Sequence, residues 1–101
     1  MEKHAIVLNR ENGRITYRFH ARDLHLVMGG RAPESPVRFR VQLDGKAPGA
    51  AHGIDTDEQG NGAVAEPRLY QLVRQTGPIV DRYFEIEFFG SGVQAFAATF
   101  G

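Results

Sequence analysis

Serines, histidines and acidic residues are the first places to look for chemistry in this chain, because its sequence contains no cysteine. That absence removes thiolate nucleophiles, disulfides and cysteine-ligated zinc together, and it is compatible with either a reducing or an oxidising compartment. The only serines are Ser35, between Glu34 and Pro36, and Ser91, between two glycines. Both settings read as turns, whereas a serine nucleophile needs a sharp strand-to-helix elbow and a histidine base. His4, His20, His25 and His52 are scattered without the HxH or HExxH spacing that brings two imidazoles onto one metal. No GxGxxG or GxxxxGK loop is present to cradle a phosphate. With no nucleophile and base to name, the sequence predicts a domain that is not an enzyme.

One segment does carry a ligand spacing. From Asp55 onward, acids or amides fall at the first, third and fifth positions (Asp55, Asp57, Gln59), glycine at the sixth (Gly60) and glutamate at the twelfth (Glu66). A calcium loop of the EF-hand type places oxygen ligands in this order around a glycine turn. Three departures weigh against it. Gln59 replaces the usual Asp or Asn, Gly62 occupies a position that is normally apolar, and no amphipathic helices flank the loop. The alternative is a glycine-rich connection whose aspartates make Asx turns. The expectation is therefore no cofactor, with a structural calcium site at Asp55, Asp57, Gln59 and Glu66 as the minor alternative.

A second pattern lies in the outward charges. Arg18, Arg38 and Arg40 face one way on their segments, and Glu85 and Glu87 do so on theirs. If those segments are neighbours, cross-strand ion pairs follow, and the face is either a solvated sheet or a polar platform for a sugar or a partner domain. Core packing is the default for Phe19, Phe39, Phe84, Phe88, Phe96 and Phe100, while Tyr70, Tyr83 and Phe89 are candidates for exposure. The chain has no tryptophan, the strongest stacker on a pyranose face.

The elements that must position these residues are strands. Period-two alternation runs through 14–20, with Ile15, Tyr17 and Phe19 on one side, and through 37–44, with Val37, Phe39, Val41 and Leu43 inward. It recurs in 83–89, with Phe84, Ile86 and Phe88 inward, and in 93–100, with Phe96 and Phe100 inward. Shorter candidates are 4–9, 24–28, 62–66 and 69–75, and only 68–75 has a helical alternative. Turn signals such as Asn12-Gly13, Asp44-Gly45 and Gly77-Pro78 separate them. About eight antiparallel strands at this spacing predict an all-β fold, a jelly-roll sandwich in preference to a partly open barrel. The longest irregular stretch is 45–61, and loops of that length are often functional.

Composition sets the outer limits. The chain has 101 residues, 42% of them hydrophobic and 24% charged, which is enough for one core without staples. Twelve basic residues balance twelve acidic ones, so no global field gathers nucleic acid. No apolar run approaches the roughly 18 residues of a membrane span, and the first residues lack the cleavage region of a signal peptide. Direct membrane insertion is not expected. A last strand running to Gly101 predicts that 1–101 is a single β-sandwich domain taken from the C-terminus of a longer polypeptide.

Five stretches in order resemble a known family: RITYRFHARDLHLVMG (14–29), VRFRVQLDG (37–45), AAHGIDTDEQGNG (50–62), RLYQLVRQ (68–75) and FEIEFFGSGVQAFAATFG (84–101). Together they resemble the C-terminal domain of bacterial DipZ-type thioredoxin-like proteins. The resemblance implies a jelly roll similar to carbohydrate-binding modules, following a thioredoxin fold that exchanges disulfides through a CxxC motif. It leaves the compartment open, the cell envelope included. Neither that motif nor that fold lies in this sequence.

The resulting expectation is a non-catalytic accessory module that docks the thioredoxin-like domain of its parent chain or positions it on a ligand. A glycan-binding, lectin-like module is the alternative, with carbohydrate as the partner. The expected contact surface is His52, Asp55, Asp57, Arg68, Tyr70, Arg74 and Tyr83, since Arg and Tyr suit both protein interfaces and sugar edges.

Overall fold

Val37, Phe39, Val41 and Leu43 are buried while Arg38 and Arg40 are exposed, so the alternation read from the sequence holds along this strand. The same rule holds along 14–19 and 82–88. The computed structural model describes residues 2–5 as backbone and residues 13–30, 34–90 and 92–101 in full. Among them eight strands form: β1 (Glu2–Ala5), β2 (Arg14–Phe19), β3 (Asp23–Gly29), β4 (Val37–Leu43), β5 (Asn61–Val64), β6 (Arg68–Arg74), β7 (Arg82–Phe88) and β8 (Gln94–Phe100). They make two four-stranded antiparallel sheets, ordered β1-β8-β3-β6 and β2-β7-β4-β5. This is the interleaved order of a jelly roll, as expected. Ser91 and residues 6–9 of the 4–9 segment lie outside the described residues. The segment with a helical alternative is strand β6, and Glu66 lies beyond β5 rather than in it.

The core forms where the inner faces meet. Leu24, Leu26, Met28, Tyr70, Leu72, Ala98 and Phe100 come from one sheet, and Phe19, Phe39, Val41, Phe84, Ile86 and Phe88 from the other. Burying each large side chain stabilises the fold by about 1.5–3 kcal/mol. Phe100 ties the sheets together, its ring centroid 5.5 Å from that of Tyr17 and 6.0 Å from that of Phe19.

Phe96 departs from the expected pattern: it is 51% exposed. The register explains it, because Val27 pairs with Ala97 but Met28 pairs with Ala95, leaving Phe96 as the extra residue of a β-bulge. One inserted residue reverses the facing of everything beyond it.

The Asp44-Gly45 turn signal is realised with φ values of 53° and 79°, the left-handed pair of a two-residue turn between Leu43 and Lys46. The long loop that follows has a structural task. After a single 3-10 turn at Gly49–Ala51, it runs along the free edge of β6. Gly53 N–H donates to Leu72 O (3.0 Å) and Asp55 N–H to Gln71 O (3.0 Å), while Gln71 N–H donates to the Asp55 carboxylate (2.7 Å). The Thr56 hydroxyl adds a bond to Leu72 O at 3.1 Å. An edge strand left open is a template for aggregation, and this loop closes it.

Candidate functional site

The expected contact residues separate into three places. Asp55, Arg68 and Tyr70 form one unit at the edge of β6. The Asp55 carboxylate accepts from both terminal nitrogens of Arg68, at 2.8 and 3.3 Å, in a forked ion pair. Burial pushes the Asp55 carboxyl up, but the Arg68 guanidinium and the Gln71 N–H outweigh it and hold the pKa below its ordinary value. Arg68 in turn lies 3.8 Å from the Tyr70 ring centroid. Tyr70 itself is 1% exposed, so it is not a contact residue. Its ring fills the core, and its hydroxyl donates to Glu66 O (2.7 Å) and accepts from Ala65 N–H (3.0 Å). This bond pair fastens the turn between β5 and β6.

His52 and Arg74 line a small cleft of about 140 Å³ with Asp23, His25, Ile54 and Gln71. His52 Nδ1 lies 2.8 Å from Gly53 O, which fits the tautomer that donates there. The third place is the outer face of the β2-β7-β4-β5 sheet, which holds Tyr83 and, at its edge, Asp57.

The calcium spacing meets a different use of the same residues. The Asp57 carboxylate accepts from Asn61 N–H (2.8 Å) and Gln59 N–H (3.0 Å), an Asx turn whose bonds lower its pKa, the Asn61 bond foremost. Asp55 is turned toward Arg68 and Gln71, and Glu66 lies 3.7 Å from Arg68 Nε. Gly60 has φ of 91°, and a Cβ there would run into the Val41 carbonyl oxygen, so glycine is required by the backbone. Among the described residues, no group of three or more histidines, aspartates or glutamates gathers as a metal site would need.

The outer face of the β2-β7-β4-β5 sheet carries most of the remaining chemistry. Its register aligns Arg14, Glu87, Arg40 and Asn61 in one row across four strands, and Thr16, Glu85 and Gln42 in the next. The strands bearing Arg18, Arg38, Arg40, Glu85 and Glu87 are thus neighbours. The pairing falls to Arg14, whose guanidinium lies 3.5 Å from both Glu85 and Glu87. Such exposed pairs contribute about 0.2–1 kcal/mol each, so they organise the surface more than they stabilise it.

At the β4–β5 side of this face an open groove of about 710 Å³ is lined by Arg38, Arg40, Asp57, Asn61, Ala63 and Phe89. Phe89 is 52% exposed, and the Arg40 guanidinium sits 5.9 Å from its ring centroid while its Nε donates to Asn61 Oδ1 at 3.3 Å. Phe89 and Asn61 were not among the expected contact residues. The signal for Phe89 was present, since it shares the face of Tyr83, Glu85 and Glu87. Asn61 could be placed beside Arg40 only once β5 was known to neighbour β4.

The chain resembles a family two carbohydrate esterase from Clostridium thermocellum, solved in complex with cellohexaose. The match has a TM-score of 0.66 and 11% identity, and covers 93% of this chain and 26% of the esterase. A GH115 4-O-methyl-alpha-glucuronidase with specificity for decorated arabinogalactans matches with a TM-score of 0.46 and 15% identity, over 97% of this chain and 16% of that one. The chain thus spans about a quarter of the first protein and less of the second, and the first likeness shows the fold. No curated protein matches the sequence. The family model for the thioredoxin-like C-terminal domain matches residues 1–101, and the chain belongs to that family.

Proposed function

We propose that this chain is the non-catalytic accessory module of a thioredoxin-like redox protein, and that it positions its partner domain by holding a ligand on the outer face of the β2-β7-β4-β5 sheet. Family membership and the absence of cysteine support the accessory role. The observation that carries the ligand face is the convergence of Phe89, Arg38, Arg40 and Asn61 on one open groove. Its volume falls within the range of small-molecule sites, and polar groups converge there beside an exposed ring.

A glycan is the ligand this chemistry fits best. A half-exposed ring offers a flat apolar face, while guanidinium and carboxamide groups beside it donate to hydroxyls at the sugar edge. Titrating the domain with a panel of oligosaccharides while following amide shifts tests this. Binding is expected to move the signals of Arg38, Arg40, Asn61 and Phe89, and Phe89→Ala is expected to weaken it about tenfold, or ~1.4 kcal/mol. A panel that moves none of these signals would reject the glycan, and a ligand that moves signals elsewhere would reject the groove.

A further inference from the structure

The topology gathers one set of loops at one end of the sandwich. Glu2 pairs with Phe100, and Gly101 O accepts from Arg22 N–H (3.1 Å) and Asp23 N–H (3.2 Å). The carbonyls of Ala21 and Arg22 in turn hold Gln75, at 2.7 Å from its side-chain amide and 2.8 Å from its backbone N–H. A chain entering at Glu2 therefore enters at the same end of the sandwich as the β6–β7 loop, with β8 and β3 lying between β1 and β6.

That loop is anchored at both feet and apolar at its tip. Gln75 is buried and accepts from Arg82 at 3.0 Å, and Asp81 lies 2.7 Å from His20 Nδ1. Between them Pro78, Ile79 and Val80 are exposed, with Ile79 and Val80 each at 48%. A cleft of about 270 Å³ opens beside them, lined by Ala51, Thr76, Pro78 and Val80. His20 with Asp81, and Arg82 with Asp44 (2.6 Å), form a polar rim. An apolar centre with a charged rim is the anatomy of an interface, and among the described residues neither Ile79 nor Val80 belongs to the core cluster or packs against it.

We infer that Pro78, Ile79 and Val80 with this rim are the docking surface for the thioredoxin-like domain that precedes the module in the same polypeptide, an inference that rests on the accessory-module reading. A domain tethered at Glu2 meets this end at an effective concentration in the millimolar range, on the order set by a short linker, so a small apolar contact suffices to hold it. Phe89 follows the far end of β7, so the groove stays open when the domain is docked.

The test uses the full-length polypeptide. Amide 15N relaxation is expected to give one rotational correlation time for both domains, and the double substitution Ile79→Asp and Val80→Asp is expected to separate it into two. Amide shifts of the module within the full-length protein, compared with the 101-residue chain alone, are expected to differ chiefly at 77–82 and 20–22. Independent tumbling of the unsubstituted protein, common tumbling that survives the double substitution, or shift changes confined to another face would each overturn the docking surface. The accessory reading fails on a separate result: deletion of the module that leaves the redox activity of the full-length protein unchanged on every substrate.

Discussion

Asp55 shows how a residue type at a suggestive spacing acquires a role from partners far along the chain. In the sequence it opens a run of potential calcium ligands, and nothing local distinguishes that use from another. Its actual partners, Arg68 and Gln71, are 13 and 16 residues away and come beside it only because the loop lies along β6. Replacing Asp55 by Ala strands the Gln71 N–H and the Arg68 guanidinium, which costs about 1–3 kcal/mol, measured as a shift in urea midpoint at constant slope. The dependence on pH has a definite sign. The folded pKa lies below the ordinary 3.8, so the carboxylate stabilises fully above that value, and the contribution is lost as pH falls through the lowered folded pKa. Asp55→Asn has no such carboxyl to titrate, so its stability should fall less steeply as pH drops below the ordinary carboxyl range. Asp44 and Asp57 are shifted the same way and keep some slope in both proteins. Equal slopes for the two would show that Asp55 is not held as described. The same geometry predicts that millimolar calcium leaves the amide signals of Asp55, Asp57 and Gly60 in place, whereas movement of all three would restore the calcium site.

Strands were legible from the sequence because period-two alternation is a local property, and β2, β4 and β7 follow it without interruption. Their pairing was not, since it depends on which strands meet after the chain has folded back. The bulge in β8 is the clearest loss. Counting back by twos from Phe100 puts Phe96 in the core, and nothing in Gln94–Phe100 announces the extra residue that turns it out. A pair of substitutions measures this. Phe100→Ala empties a site that is 7% exposed and should cost about 3–5 kcal/mol, whereas Phe96→Ser changes a half-exposed ring and should stay within about 0.5 kcal/mol. Similar costs for both would mean that the register of β8 is regular. The loop between β4 and β5 was legible as long and irregular, yet its use as an edge cover was hidden, because β6 becomes an edge only in the assembled sheet.

At the scale of the whole molecule, the jelly-roll order separates two surfaces of different character. Apolar Ile79 and Val80 stand at the end where Glu2 and Gly101 meet, while Phe89 and Arg38 lie toward the opposite end of the charged sheet. In the proposed role, the module affects where a tethered catalyst works without entering its chemistry. Deleting it from the full-length redox protein should leave exchange with a small soluble disulfide unchanged. Exchange with a substrate carried on the bound ligand should fall, because tethering supplies local concentration and commonly raises apparent affinity by about 10²–10⁴. The loss should appear in KM rather than kcat, since the module touches no reacting atom. Phe89→Ala in the full-length protein should reproduce the loss on the ligand-borne substrate and leave the small disulfide untouched. If the substitution instead slows both substrates alike, the ring acts on the catalyst itself, and the separation of binding from chemistry drawn from this fold would have to be abandoned.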